Sequence, residues 1–136
     1  MKVLRRYFLS VLAALFTLGM TSCDPMQTIE IQNKSETKSI ITFHFKGTEY
    51  HEFEGFWQEE PLTLNLAPKD TVIYDFGLGT WEMNNSLDSL VVRVDKVKIE
   101  SEKSTEIFEG NSQIQSFFED RFSDDDLKSN ILIIIE

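Results

Sequence analysis

The amino-acid sequence predicts one all-β sandwich domain, over residues 29–136, that follows an N-terminal export signal. About six to eight short segments show the alternation or the apolar run of a β-strand, and turn residues separate them closely. The chain of 136 residues leaves room for one such domain, and eleven Phe, two Trp and three Tyr supply much of its core. Only one segment of the domain has helical spacing.

Two strands and a turn open the domain. Thr28–Gln32 alternates polar and apolar side chains, as a half-buried strand does. A turn at 33–37 follows, and Ser39–Phe45 places large apolar side chains on one face. The interval between the two strands suits a hairpin.

The next pair of strands surrounds a proline. Leu62, Leu64 and Leu66 line one face of a strand that ends at the turn 67–70. Because Pro68 presets the dihedral angle of this turn, we expect a second hairpin, in which Val72, Tyr74 and Phe76 line the returning strand. We expect Leu64 and Tyr74 to lie in the core.

The middle of the chain is predicted to be a loop and a buried strand. Thr80–Ser89 has the composition of a loop, and Leu90–Val94 alternates so that Val92 would face the core. The apolar positions then shift by one residue to Val97 and Ile99. Such a shift requires a turn or bulge at 95–96.

The last part of the domain combines strands with a short helix. A strand is predicted at Thr105–Phe108. The next apolar side chains, which have helical spacing and predict a helix near residues 113–122, are Ile114, Phe117, Phe118 and Phe122. The aliphatic run Ile131–Ile135 predicts a central strand that is buried on both faces.

The N-terminus carries the clearest signal in the sequence. Basic residues at Lys2, Arg5 and Arg6 precede the uncharged, mostly apolar run Tyr7–Met20. This run is shorter than the roughly 20 residues that a membrane-spanning helix needs, and it fits the apolar region of a secretory signal peptide. We therefore expect residues 1–22 to be removed on export.

The apolar run ends in Met20-Thr21-Ser22-Cys23, which contains the chain's only cysteine. This segment resembles the lipobox of bacterial lipoproteins, although Met20 stands where Leu is usual. The resemblance implies cleavage before Cys23, acylation of Cys23 and a tether at residues 23–28. An ordinary signal peptide followed by a free cysteine is the alternative, but an unpaired thiol is a liability in an oxidising compartment.

The net negative charge of the chain limits which classes of partner it can bind. The whole chain has a net charge of −10. Three of its 13 basic residues and none of its 23 acidic residues precede Cys23, so removal of residues 1–22 leaves ten against 23, a charge of −13. A nucleic-acid partner is excluded because phosphate binding needs clustered Lys and Arg. The expected contact with a membrane is through the N-terminal lipid.

The mature chain resembles the small lipoproteins of unknown function that are numerous in Bacteroidota. The matching segments are Asn33-Lys34-Ser35, Pro68-Lys69-Asp70-Thr71 and Asp88-Ser89 through Asp95-Lys96, the last without the glycine that is usual there. The resemblance implies an immunoglobulin-like antiparallel sandwich at the cell envelope. We expect an outer-membrane lipoprotein that faces the periplasm or is exposed at the surface. No catalytic residue is implied.

Aromatic side chains are the candidate ligand-binding residues. Four of them fall within eight residues, and a fifth lies in the second long connection; the set is Tyr50, Phe53, Phe56, Trp57 and Trp81. Exposed rings of this kind stack on sugars or on arginine-bearing peptides. The alternative, which we favour, is that these rings pack into the core.

Metal and catalytic sites have weak support in the sequence. His44 and His51 have acids nearby at Glu49, Glu52 and Glu54, but their separation matches no familiar ligand spacing. The acidic run 124–126 fails as a calcium loop because Lys128 occupies a position that requires an oxygen ligand. No nucleophile elbow or phosphate loop is present. We expect no cofactor, no metal and no enzymatic activity.

The sequence thus favours a lipid-anchored envelope protein with a non-enzymatic binding or assembly role toward a protein or glycan. Two alternatives remain: a structural subunit of an envelope complex, whose partner docks at a sheet edge, and, less favoured, a small hydrolase. A binding module would expose Trp57 or Trp81, whereas a structural subunit would have an open edge strand and an apolar patch. An enzyme would bring its histidines together with acids in a cleft.

Overall fold

The structure is a computed structural model that describes residues 24–47, 61–123 and 127–136. It is mostly β, with short helices between strands. In chain order its elements are β1 (Met26–Asn33), β2 (Ser39–Phe45), β3 (Leu62–Leu66), β4 (Thr71–Leu78), a 3-10 turn (Met83–Asn85), α1 (Ser86–Arg93), β5 (Val94–Glu100), β6 (Thr105–Glu109), α2 (Asn111–Glu119) and β7 (Asn130–Ile135).

Two sheets enclose the core. The described strands have the order β4-β1-β7 in one sheet and β3-β2-β5-β6 in the other. Neighbours are antiparallel except for β1 and β7, which run parallel. Ile29 and Ile31 from the first sheet share one buried cluster with Ile41 and Phe43 from the second. The predicted all-β sandwich is confirmed.

The two predicted hairpins are wrong, because each turn passes between the sheets. The chain reverses at 67–70, where the amide of Asp70 donates to the carbonyl of Ala67 at 3.1 Å. However, β3 then pairs with β2, while β4 pairs with β1. Turn residues determine that a chain reverses, but they do not determine which sheet the next strand joins. The connection from β1 to β2 crosses between the sheets in the same way.

Asn33, the last residue of β1, holds these two crossovers together from a buried position. Its amide nitrogen donates to the carbonyls of Thr37, Leu66 and Ala67 at 2.8, 3.2 and 2.9 Å. Its amide oxygen accepts from the backbone and side chain of Ser35 at 3.1 and 2.7 Å. The amide group thereby satisfies one buried and several partly buried backbone groups, which belong to both connections.

The predicted strand over Leu90–Val94 is wrong, as is the predicted loop that precedes it. The 3-10 turn and α1 occupy these residues, and β5 begins only at Val94. Leu87, Leu90 and Val91 are buried, whereas Val92 is 60% exposed. The buried positions follow the helical spacing i, i+3, i+4, which competes here with an equally visible alternation of period two.

The predicted irregularity at 95–96 is confirmed. His44 pairs with Lys96 and Phe45 pairs with Val94, so Asp95 is an extra residue in the ladder between β2 and β5. The extra residue moves the buried positions to Val97 and Ile99, as the sequence indicated.

Near the C-terminus, the predicted helix is confirmed and the predicted position of the last strand is wrong. α2 overlaps the predicted helix, with Ile114, Phe117 and Phe118 buried, but it ends at Glu119, and Phe122 instead forms a β-bridge with Ile131. β7, predicted to be central and buried on both faces, instead lies beside β1 at one side of its sheet, and its burial alternates. An aliphatic run does not by itself show that both faces of a strand are buried, and Ile134 of β7 is exposed.

Candidate functional site: a groove beside an outer strand

Most residues that the sequence offered as sites lie outside the described residues. These are the acylation candidate Cys23, the aromatic residues Tyr50, Phe53, Phe56 and Trp57, the second histidine His51, its acidic neighbours Glu49, Glu52 and Glu54, and the acidic run 124–126. The lipid anchor and the aromatic stretch therefore stay predictions.

Trp81 is a core residue, and its candidate role in stacking is wrong. Its side chain is 0% exposed, and the indole nitrogen donates to the carbonyl of Thr28 at 3.1 Å. The ring meets Phe76 edge to face, with 5.0 Å between centroids. A ring that fills the core and has its polar atom satisfied by backbone has no face for a ligand.

His44 lies on β2 and is partly buried, opposite Lys96 of β5. A lysine is a cation and offers no ligand to a metal at this position. Residues 24–47, 61–123 and 127–136 contain no group of three or more His, Cys, Asp or Glu that could hold a metal ion.

A groove of about 380 Å³ lies between β6 and α2. β6 is the outer strand of its sheet: it pairs with β5 on one side, and no other described strand pairs with it. The residues that line the groove include Ile107, Phe108, Ser116, Phe117, Asp120 and Arg121. The groove thus lies directly beside a strand edge.

Aromatic rings form the floor of the groove. Phe108 on β6 and Phe117 on α2 pack with 4.7 Å between ring centroids, and Phe118 continues the cluster at 5.1 Å from Phe117. Ile107 is 52% exposed and provides an apolar side chain at the strand itself. The rings and Ile107 therefore give this groove an apolar base between the strand and the helix.

Arg121 covers the aromatic floor. Its guanidinium carbon lies 4.1 Å from the ring centroid of Phe117 and 5.4 Å from that of Phe108. One guanidinium nitrogen donates to the backbone carbonyl of Phe117 at 2.8 Å. The side chain is thus oriented by a hydrogen bond and by stacking on two rings.

The charges around Arg121 are mainly acidic. Desolvation by burial lowers the pKa of Arg121 from its ordinary value, while the carboxylates of Glu106 and Asp120 oppose this by favouring the charged form. Glu109 lies at the end of β6, where Lys96 approaches it at 3.7 Å. Carboxylates therefore surround Arg121, whose guanidinium is already hydrogen-bonded to the backbone and packed on two rings.

Sequence reasoning missed this groove, although part of its signal was present. Ile107 and Phe108 are adjacent in one short strand, so an apolar side chain must project on each of its faces. Arg121 follows Phe117 by four residues, the spacing that brings side chains together on a helix. The pairing of β6 with only one neighbour could be known only from the sheet order.

No protein-family model, curated protein or solved structure matches the chain. Across the described ranges, none of the helices has the length and apolar character that crossing a membrane requires.

Proposed function

We propose that the protein is a lipid-anchored, non-enzymatic envelope protein that assembles with another envelope protein through the groove beside β6. Acylated Cys23 holds it to the periplasmic face of the outer membrane. The partner adds an extended segment to the outer edge of β6. Among the alternatives that the sequence left open, this is the structural subunit that docks at a sheet edge.

The open edge of β6 is the observation that carries this proposal. Apart from the amide of Glu109, which donates to the side chain of Gln113 at 3.0 Å, the outer backbone groups of β6 can hydrogen-bond to an incoming strand, which is the common mode of β-strand addition. Ile107 beside this edge gives a partner side chain an apolar contact, and the partly exposed ring of Phe108, which packs on the buried ring of Phe117, adds to it. The buried position of Trp81 removes one of the rings on which a glycan-stacking role depended.

The acidic rim favours a basic partner segment. Asp120 lines the groove, Glu106 acts electrostatically on Arg121, and the chain after Cys23 carries a net charge of −13. An acidic segment, or a second copy of this chain, would bring like charges together at the edge. A strand with lysine or arginine beside an apolar residue suits both the acidic rim and the exposed side chain of Ile107.

Site-specific photo-crosslinking tests the partner. A photoreactive residue replaces Ile107 in one variant and Ile73, a similarly exposed residue on β4 of the other sheet, in a control. We expect a discrete adduct from position 107 that Glu106→Lys weakens, and none from position 73. The same adducts from both positions would contradict docking at β6.

Fatty-acid labelling tests the anchor. Cells that produce the wild type or Cys23→Ser are grown with a clickable fatty-acid analogue, and the protein is then isolated. We expect label only in the wild type, because the chain contains no other cysteine. Equal label in both proteins would end the lipoprotein proposal.

A further inference from the structure

We infer that the end of the sandwich nearest Cys23 rests on a neutral lipid surface through a rim of four apolar side chains. These side chains, here called the anchor-end rim, are Met26, Leu78, Met83 and Leu127, and all four are exposed. The inference rests on the proposed acylation of Cys23 and adds a second contact with the membrane to it.

The strand side of the rim is fixed by backbone pairing. Met26 begins β1 and Leu78 ends β4, and the two residues are partners in the antiparallel ladder. The amide of Gly79 donates to the carbonyl of Pro25 at 2.8 Å, which ties the chain before β1 to the end of β4. Both apolar side chains therefore stand where the chain leaves the sandwich toward Cys23.

The other two members of the rim join the same end through Trp81. The amide of Trp81 donates to the carbonyl of Lys128 at 3.0 Å, which places Leu127 beside the connection after β4. Met83 lies two residues after Trp81 in that connection, and its amide donates to the carbonyl of Thr80 at 3.1 Å. The rim is thus assembled from three separate parts of the chain.

The tether predicted at residues 23–28 is shorter than expected, because β1 already begins at Met26, and it cannot lift this end away from the membrane. Only Asp24 separates Cys23 from Pro25, whose carbonyl is held by Gly79. At about 3.3–3.6 Å per extended residue, the acylated residue lies within about 7 Å of Pro25. Acyl chains inserted at Cys23 therefore bring the anchor-end rim to the lipid surface.

Charge selects the kind of lipid. Lys128 is the cation beside Leu127, and it is paired with Glu82. Asp24 adds an exposed acid, and the acidic run 124–126 precedes Leu127 in the sequence. An anionic surface would repel this end, whereas a zwitterionic surface accepts apolar side chains at its boundary with the acyl chains.

Depth-dependent quenching tests the inference on the full acylated protein in phosphatidylcholine vesicles. Leu78→Cys carries an environment-sensitive fluorophore, since acylation occupies the thiol of Cys23. Ile73→Cys is the matched control: it is similarly exposed on the same strand and lies five residues, or about 17 Å, farther from the rim. Spin-labelled lipids quench only a fluorophore that reaches the bilayer.

We expect several-fold stronger quenching at position 78 than at position 73, and the same strong quenching for a fluorophore on Met83→Cys. Replacing part of the lipid with an anionic one should reduce quenching at positions 78 and 83. Equal, weak quenching at all three positions of a protein whose intact mass includes the acyl chains would overturn the inference and leave the anchor standing. An intact mass without acyl chains would overturn both.

Discussion

The side-chain amide of Asn33 donates a 2.9 Å hydrogen bond to the carbonyl oxygen of Ala67, across the gap between the two sheets. Ala67 begins the turn into β4, and Asn33 ends β1, so the bond joins the two connections that pass between sheets. The lysine in the turn adds to this join, because Lys69 donates to the carbonyl of Lys34 at 2.6 Å and pairs with Glu36.

Asn33→Ala should destabilise the fold by about 1–3 kcal/mol, because it leaves one buried and several partly buried backbone groups without this partner. Asn65→Ala, at an exposed position on the neighbouring β3, is the control and should change stability little. Urea unfolding curves of both variants measure the difference. A melt of Asn33→Ala that matches the wild type would show that water replaces the amide without cost.

Trp81→Ala should cost about 3–5 kcal/mol, as expected for the loss of a large buried aromatic side chain. Met83→Ala, two residues away at an exposed position, should cost little in the free protein. Thermal unfolding followed by circular dichroism compares the two variants. Similar melting temperatures for the two would contradict the core position of Trp81.

Leu90→Ala and Val92→Ala distinguish helix from strand in α1. Leu90 is 0% exposed, so its replacement should cost about 2–5 kcal/mol, whereas replacing the exposed Val92 should have almost no effect. The measurement is the free energy of unfolding of each variant in denaturant. Comparable large losses of unfolding free energy for both variants would contradict the helix and favour the strand that the alternation predicted.

Gly110→Ala should destabilise the protein by about 1–3 kcal/mol through the backbone alone. Gly110 has φ of 82° and ψ of 153° before α2, a conformation that only glycine adopts readily. An added methyl group would meet no atom within 4 Å, so crowding does not contribute. Ser112→Ala in the first turn of α2 is the control, and calorimetry should show a lower Tm only for Gly110→Ala.

The sequence predicted the local pattern of most elements well. The alternating positions of β1 and β4 and the helical spacing of Ile114, Phe117 and Phe118 each follow from one side of an element facing the core, although the inward side chains of β4 are only partly buried. The extra residue at Asp95 was also visible, because a single residue moves every later side chain to the other face.

The wrong predictions share a physical reason. Each concerns a feature that depends on contacts between residues distant in the sequence. The segment with Leu87, Leu90, Val91 and Val94 fits a helix as well as a strand, and the packing of α1 against α2 and β5 decides between them. The turn at Pro68 reverses the chain for either a hairpin or a crossover, and Asn33 favours the crossover from 33 residues away. The groove lies beside β6 because β6 is the outer strand of its sheet, and the local sequence pattern does not reveal the order of the strands.

The parallel pairing of β1 with β7 also determines when the fold can form. β1 lies between β4 and β7, and Thr28 pairs with Asn130 across most of the domain. Closing so long a loop is slow and costs entropy that only the finished contact repays. Until Asn130–Ile135 are available, β1 lacks one of its two neighbours and the core lacks Ile131, Ile133 and Ile135. We therefore expect the sheet of β4, β1 and β7 to form only after Asn130–Ile135 have been synthesised.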